Sequence, residues 1–221
     1  MRVSGSRWYQ VVRAGFAVLT LAAIVTQFAI GLDKDGFRPG NFFSFFTIQS
    51  NIVAVFVLLA SAAIALGGRV TPDRWNLVRG AAVAYMATTG IVYDLLLADI
   101  QADLQLTEPW VDWVLHRLMP VVMALDWLLE PPSRRLAFRE CLVWMAYPLL
   151  YLVYSLIRGP VVDWYPYPFL DPAEAGGYVG VAAVSIRIAI LFLGLIWLVV
   201  ALGNLARSWW SGRQAVTEMA T

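Results

Sequence analysis

Hydroxyl and amide side chains cluster in one short stretch, NFFSFFTIQSN at residues 41–51, which leads directly into the apolar segment IVAVFVLLASAAIAL. The only histidine of the chain, His116, stands in WVLHRLMP, at the start of another apolar stretch. Imidazole titrates near neutral pH and can take the proton of an alcohol, which makes a weak nucleophile effective. A hydroxyl of the first stretch and His116 therefore suit nucleophilic hydrolysis, provided that the fold brings them together.

Helical spacing places the polar residues of each segment on one face, since residues three and four apart share a face of a helix. The stripe in the first segment consists of Ser44, Thr47, Ser50, Asn51 and Ala54. The stripe in the second consists of Asp112, His116, Met119, Pro120 and Met123. Pro120 is expected to free the carbonyl of His116 from its helical hydrogen bond and to kink the helix there.

The composition is that of a membrane protein. Of the 221 residues, 60% are hydrophobic and 14% are charged, whereas a soluble domain carries roughly 25% charged residues. A helix that crosses the hydrocarbon core needs about 20 apolar residues. We predict six such helices, over 10–31, 44–66, 77–98, 111–129, 139–157 and 178–206. No linker separates them, so residues 1–221 are predicted to form a single all-α membrane domain.

The distribution of basic residues predicts the orientation in the membrane. Arginines concentrate in the N-terminal segment, in the second and fourth loops and in the C-terminal tail, whereas acidic residues concentrate in the other loops. Cytoplasmic loops carry the excess of Lys and Arg. Both termini are therefore predicted to be cytoplasmic, in a plasma membrane. Arg13 and Arg79 are counted in the cytoplasmic basic rim.

Several ionisable groups fall at membrane depth. A rise of 1.5 Å per residue puts Thr47, His116 and Asp94 at a similar depth, about 6–9 Å below the outer interface. Arg187 lies somewhat deeper, and Asp126 lies near the cytoplasmic end, outside this layer. Charged groups within a bilayer usually face the bundle interior, where they pair or function. A polar cavity toward the outer leaflet is therefore predicted.

The residue inventory excludes several classes of site. A single histidine and a single cysteine, Cys141, exclude a bis-histidine haem and a thiolate metal cluster. The only lysine, Lys34, lies in a predicted loop, which excludes a retinal Schiff base within the helices. No cofactor, no metal and no nucleic-acid partner is predicted. Three classes stay open: a metal-independent hydrolase, a small transporter or lipid-binding protein that uses the same cavity, and a scaffold for another membrane protein.

Three segments, FFTIQSN, WVLHRLMP and WYPYPFLD, together resemble a known family. They are similar to the androgen-induced, androgen-dependent family of multi-span threonine hydrolases, and in particular to its bacterial membrane-protein relatives. The animal members cleave fatty acid esters of hydroxy fatty acids, with a threonine in the second span and a histidine in the fourth. The resemblance implies that Thr47 and His116 are this pair. The spacing from His116 to Pro120 is one residue shorter than in the animal proteins, and IQSN replaces a more apolar stretch.

The resemblance and the chemistry together define the expected roles. His116 deprotonates Thr47, which attacks the carbonyl of a lipid or fatty-acyl ester, and water activated by the same histidine hydrolyses the acyl-enzyme. Ser44, one turn before Thr47, is the alternative nucleophile. A histidine in this role needs a group that fixes its tautomer. Asp94 is expected to supply it, with Asp112 as the alternative and the carbonyl freed by the proline as a third candidate.

Several further residues are candidates for interaction with the substrate. Asn51 or Gln49 is expected to stabilise the oxyanion. Arg187 is expected to attract the carboxylate of a fatty acid substrate, unless it forms a structural ion pair with Asp94. Trp164 and Tyr165, in the outer loop VVDWYPYPFLDP, suit the headgroup level of a membrane. Together with Tyr167 and Phe169 of the same loop, they are expected to form either an interfacial belt or a lid that admits an acyl chain from the membrane lipids. The sequence does not indicate an oligomeric state.

Overall fold

Six long helices make up most of the part of the chain that the structure describes. A computed structural model describes residues 6–69, 71–98 and 108–219, with side chains up to residue 212. Among these residues there is no β-strand, so the all-α expectation is confirmed. The helices are α1 (Arg7–Leu32), α2 (Phe46–Leu66), α3 (Asp73–Leu96), α4 (109–129), α5 (Phe138–Val162) and α6 (Gly177–Met219).

Four of these helices are long and apolar enough to cross a membrane, judged by length and composition: α1, α2, α5 and the Gly177–Gly212 part of α6. Such helices are typical of an integral membrane protein. α3 and α4 are not among the four because charged residues interrupt them, notably Arg79 and Asp94 in α3 and Asp112 and Asp126 in α4. The expectation of six crossings therefore stays a prediction.

α3 lies at the centre of the bundle, where it packs against α2, α4 and α6, while α1 packs along α2. Small residues allow these close contacts because they let helix backbones approach one another. A Cβ atom added at Gly80 would overlap the ring of Trp144. One added at Gly90 would lie 3.0 Å from the backbone oxygen of His116. α3, whose apolar pattern is interrupted by charged residues, is therefore enclosed by its neighbours.

α2 begins later than its sequence stripe predicts. A short helical turn, Pro39–Phe42, precedes it, and Phe45 has an extended backbone (φ −71°, ψ 129°) that separates the two. Ser44 consequently lies before the helix rather than on its polar face. Ser50, Asn51 and Ala54 keep their predicted place and are buried.

A buried ion-pair cluster lies at the end of the bundle where α1 begins. Asp126 of α4 accepts hydrogen bonds from Arg13 of α1 at 2.5 Å and from Arg79 of α3 at 3.0 Å. Glu130 pairs with Arg13 as well. Arg13 and Arg79 are only 2% and 1% exposed, so counting them in a basic rim was wrong. Their charges are tolerated inside the bundle because buried carboxylates neutralise them.

Candidate functional site

Thr47 and His116 meet at the end of the bundle where α2 begins. Nε2 of His116 lies 3.2 Å from Oγ1 of Thr47, which is within hydrogen-bond reach. Both side chains are buried, with 8% and 5% of their surface exposed. The fold thus brings together the two residues that the sequence singled out.

Asp112, one helical turn before His116, holds the other side of the imidazole. Nδ1 of His116 lies 3.0 Å from the carboxylate Oδ1 of Asp112 and 3.2 Å from its backbone oxygen. Both oxygens are acceptors, so the proton of the neutral imidazole belongs on Nδ1, an assignment that follows from its partners. Nε2 is then free to accept the hydroxyl proton of Thr47.

Two further side chains fix the carboxylate of Asp112. The hydroxyl of Tyr93 donates to its Oδ2 at 2.7 Å, and NH1 of Arg117 donates to the same oxygen at 3.3 Å. The Tyr93 ring also stacks on the His116 ring, with centroids 3.8 Å apart and planes 15° apart. Imidazole and carboxylate are therefore held in one arrangement by the residues around them. No sequence pattern indicated Tyr93, because a tyrosine in an apolar helix carries no positional signal.

Asp94 and Arg187 do not take the positions expected of them. The carboxylate of Asp94 lies 3.3 Å from NH2 of Arg117, and its side chain is 54% exposed. The structure therefore brings Asp112, not Asp94, to His116. Arg187 is exposed on α6 and does not line the cavity beside Thr47. Its expected role in holding a substrate carboxylate is not met, because the rotation of α6 turns it outward.

The backbone of α4 widens just before Pro120. Residues Val114–Leu118 form a π-helical turn, in which the N–H of Met119 donates to the oxygen five residues earlier. Pro120 has no N–H, so the next oxygen in this series, that of Leu115, lacks a partner within the helix. The disruption at the proline thus takes the form of a wider turn, and the oxygen without a helical partner is that of Leu115, one residue before the one predicted. Such turns are frequent at functional sites.

Asn51 of α2 supplies the missing partner. Its Nδ2 donates to the backbone oxygen of Leu115 at 3.1 Å and to that of Thr47 at 2.9 Å. Both amide hydrogens are then in use. Asn51 therefore joins α2 to α4 at the level of the Thr47–His116 pair, and it does not offer the oxyanion donor that the sequence suggested.

Gln49 and Ser44 bond to groups away from His116. Nε2 of Gln49 donates to a backbone oxygen of the preceding loop at 2.8 Å, and its Oε1 accepts a hydrogen bond from Tyr147. The hydroxyl of Ser44 donates to a backbone oxygen one turn earlier at 2.6 Å and lies 2.8 Å from the hydroxyl of Tyr154. Gln49 is thus no oxyanion donor here, and Ser44 is not placed as a nucleophile.

Tyr167 of the aromatic outer loop contacts Thr47, a role that the sequence did not predict for it. Its hydroxyl accepts a hydrogen bond from the backbone N–H of Thr47 at 3.3 Å and lies 3.5 Å from Thr47 Oγ1. The loop between α5 and α6 carries this side chain inward, and only 8% of it is exposed. Burial raises the pKa of Tyr167, so the phenol keeps its proton and remains a hydrogen-bond donor.

The aromatic loop contributes different residues from those expected. Trp164 packs edge-on against Phe45, with ring centroids 5.4 Å apart, and Tyr165 packs against Gly159. Neither lines the cavity beside Thr47, whereas Tyr167 does. Alternating aromatics and prolines place a loop at an interface, but they do not tell which ring turns inward.

The cavity that adjoins Thr47 has a volume of about 110 Å³ and is almost wholly apolar, so the prediction of a polar cavity was wrong. It lies between α3, α5 and α6, and the loop after α5 closes one end. Thr47 lines it but His116 does not, so the cavity reaches the pair from the threonine side. A substrate in the cavity would therefore meet the hydroxyl first, with the imidazole behind it.

Fold and site together define an all-helical protein of the membrane class with a buried Thr–His–Asp arrangement. No family model matches the sequence, and no curated protein and no solved structure matches it either. The function therefore has to be inferred from the residues and geometry of the site itself.

Proposed function

We propose that the protein is an intramembrane threonine hydrolase that cleaves lipid esters, such as fatty acid esters of hydroxy fatty acids or similar acyl esters. One observation carries the proposal: Nε2 of His116 lies 3.2 Å from Oγ1 of Thr47, while Nδ1 lies 3.0 Å from Asp112. Nucleophile, base and orienting acid in this order are the constellation of serine hydrolases, which recurs on unrelated folds. The resemblance of FFTIQSN, WVLHRLMP and WYPYPFLD to the threonine hydrolase family supports the same function.

The first half of the reaction transfers the acyl group to Thr47. His116 takes the hydroxyl proton at Nε2 while Oγ1 forms a bond to the ester carbonyl carbon. The resulting imidazolium is stabilised by Asp112, whose carboxylate faces Nδ1. When the tetrahedral intermediate collapses, the carbon–oxygen bond to the alcohol breaks, and His116 gives its proton to the leaving alkoxide. The alcohol departs and the acyl-threonine remains.

The second half releases the acid. A water molecule loses its proton to Nε2 of His116 and attacks the acyl carbon, and the bond to Oγ1 breaks with return of the proton to Thr47. In both halves the oxyanion of the tetrahedral intermediate needs hydrogen-bond donors. The backbone N–H of Thr47 and the hydroxyl of Tyr167 are adjacent, with 3.3 Å between N and O. We assign the oxyanion to this pair, with the carbonyl oxygen replacing the contact between them.

We further propose six membrane crossings with both termini cytoplasmic and the Thr47 site toward the outer leaflet of the plasma membrane. The arginine excess at the N-terminus, in the second and fourth loops and in the tail supports this orientation. α3 and α4 complete the six crossings, since Arg79 of α3 and Asp126 of α4 pair inside the bundle. Labelling of single cysteines, placed at Lys34 and at Arg134 in a cysteine-free background, tests the orientation. Labelling of Arg134→Cys from outside intact cells would overturn it.

Labelling and turnover together test the enzymatic proposal. The purified protein should react with a fluorophosphonate probe and hydrolyse fatty-acyl esters. Thr47→Ala should abolish labelling, and His116→Gln should lower ester turnover by about a thousandfold or more. Tyr167→Phe should lower kcat with little change in KM, since it loses only an oxyanion donor. Ser44→Ala is the matched control and should keep both activities. Full turnover by a folded Thr47→Ala protein would exclude this mechanism.

A non-catalytic lipid-binding protein is the second candidate. It is favoured by the cavity, whose lining is almost wholly apolar and does not include His116. This candidate predicts fatty acid binding without labelling and without ester turnover. The same experiment therefore separates the two functions.

A further inference from the structure

The cavity beside Thr47 has a shallow end and a deep end. Thr47 and Tyr167 line the shallow end, where α2 begins and the loop between α5 and α6 folds over. Thr88, Met145 and Phe192 line the deep end. Each of these three is the lining residue of its helix that lies farthest from that loop. Three independent helices thus agree on the direction in which the cavity extends.

The cavity is elongated along the bundle. On α6 its lining runs from Ser185 to Phe192, which corresponds to about 10 Å of helix at 1.5 Å per residue. Its walls are almost entirely carbon, supplied by side chains such as Val92, Leu152 and Ile188. A long, apolar space with a nucleophile at one end suits an unbranched hydrocarbon chain that is attached to a carbonyl group.

One side of the cavity reaches the outside of the bundle between α5 and α6. Leu149 lines the cavity and is also 48% exposed, and Ala189 on the facing side of α6 is partly exposed. In a membrane-spanning bundle this side faces the hydrocarbon. A lipid chain would therefore enter sideways without leaving the apolar phase, and the buried hydroxyl would need no aqueous route.

Phe192 forms a firm floor at the deep end. It is 1% exposed, and its ring stacks on Tyr85, with centroids 5.9 Å apart and planes 16° apart. The hydroxyl of Tyr85 donates to the backbone oxygen of Trp144 at 3.1 Å, which fixes the ring behind the floor. An acyl chain that extends from Thr47 into the cavity therefore ends at the Phe192 ring, which close packing holds in place.

We propose that this cavity binds the acyl chain of the ester, with the carbonyl carbon at Thr47 and the chain end at Phe192, so that Phe192 sets the acyl length. The inference rests on the proposed hydrolase function and adds which half of the substrate is buried. The acyl half remains bonded to Thr47 in the acyl-enzyme, so a pocket must hold it until water hydrolyses that bond. The alcohol half leaves after the first step and therefore does not occupy the closed end.

Esters of varied chain length test the assignment. The protein in lipid nanodiscs would be assayed with acetate, butyrate, octanoate and palmitate esters of one fluorogenic alcohol, and then with octanoate esters of alcohols of rising length. We expect kcat/KM to vary strongly with the acyl chain and weakly with the alcohol. The reverse dependence would overturn the assignment.

Two variants change the length of the cavity in opposite directions. Phe192→Ala deepens the cavity and should raise the palmitate-to-octanoate ratio of kcat/KM by at least about tenfold. Ala189→Phe fills the middle of the cavity and should lower the octanoate-to-butyrate ratio by about tenfold or more. Ile190→Ala, on the same helix but 64% exposed and outside the cavity, is the control and should change neither ratio. If Phe192→Ala fails to fold, Ala189→Phe decides alone; unchanged ratios in the folded variants would contradict the proposal.

A binding measurement separates failure of this inference from failure of the hydrolase proposal. Free fatty acids of rising length would be titrated into the Thr47→Val protein, with and without Ala189→Phe. Length-dependent binding that Ala189→Phe shortens would support the pocket even if the wild-type protein hydrolyses no ester. If the wild-type protein hydrolyses esters but fatty acid binding depends neither on chain length nor on Ala189→Phe, the assignment of the acyl pocket is wrong and the hydrolase proposal still stands.

Discussion

Asp94 and Asp112 show how much of a site depends on a single side chain. Both are aspartates near the same end of the bundle, and the sequence allows either to orient His116. Only Asp112 does so, with its Oδ1 3.0 Å from Nδ1, whereas Asp94 is 54% exposed and pairs with Arg117. The difference has a simple physical origin, because Asp112 lies one turn before His116 on the same helix and Asp94 lies on another.

Replacing each aspartate by asparagine separates their roles. Asp112→Asn removes the charge that stabilises the imidazolium and offers Nδ1 an amide that can donate, which favours the wrong tautomer. We expect kcat to fall about a hundredfold or more with little change in KM, because the nearby backbone oxygen keeps part of the orientation. Asp94→Asn is the matched control and should stay within about twofold of wild type. Equal losses in both variants would mean that Asp112 acts only through overall charge.

At the scale of helices, α4 is shaped by its neighbours as much as by its own sequence. The π-helical turn Val114–Leu118 leaves an oxygen without a helical partner ahead of Pro120, and Asn51 of α2 fills that need. On the other side, Gly90 of α3 lets the backbone oxygen of His116 come close. The position of His116 therefore depends on the close packing of α2 and α3 against this turn.

Gly90→Ala tests that close approach. The new Cβ would lie 3.0 Å from both the His116 oxygen and Cγ of Pro120, so α4 must shift by a fraction of an ångström. We expect kcat to fall about tenfold, since small displacements of a catalytic group are costly. Gly194→Ala is the control, because a Cβ at that helical glycine meets nothing within 4 Å. If kinetic assays show the same rate for both variants, the backbone contact at Gly90 does not position the imidazole.

At the scale of the whole molecule, two polar clusters lie at opposite ends of an apolar bundle. One is the Thr47–His116 site, and the other is the cluster of Asp126 with Arg13 and Arg79. The second joins α1, α3 and α4, and Asp126 also accepts a hydrogen bond from the Tyr9 hydroxyl at 2.9 Å. It therefore fixes three helices at the end of the bundle opposite the Thr47–His116 site.

Asp126→Asn should destabilise the whole bundle. It leaves two buried guanidinium groups without their shared carboxylate, which costs about 3–5 kcal/mol when one partner of a buried pair is removed. Unfolding in mixed micelles would measure the loss of free energy. The control is Glu140→Gln, which breaks the partly exposed pair with Arg134 (2.7 Å) and should cost about 1 kcal/mol or less. A stable Asp126→Asn protein would show that Glu130 alone neutralises the arginines.

Much of the fold follows from the sequence, because the apolar stretches alone define where helices run. The predicted helix over 111–129 is observed over 109–129, and that over 44–66 is observed as Phe46–Leu66. The C-terminal helix is longer than predicted, since its polar end continues the helix to Met219. Periodicity also brought Thr47 to the buried face of α2, and the family resemblance selected it together with His116.

What the sequence determined by itself is the all-helical membrane class and the approximate extent of the helices. Only the tertiary structure decided that Asp112 rather than Asp94 faces His116, that Tyr167 turns inward and that Arg187 turns outward. The physical reason is that periodicity describes the faces of one helix, whereas its rotation against its neighbours is set by packing. The path of a loop such as the one that carries Tyr167 is set by what it folds onto, and no local pattern records that.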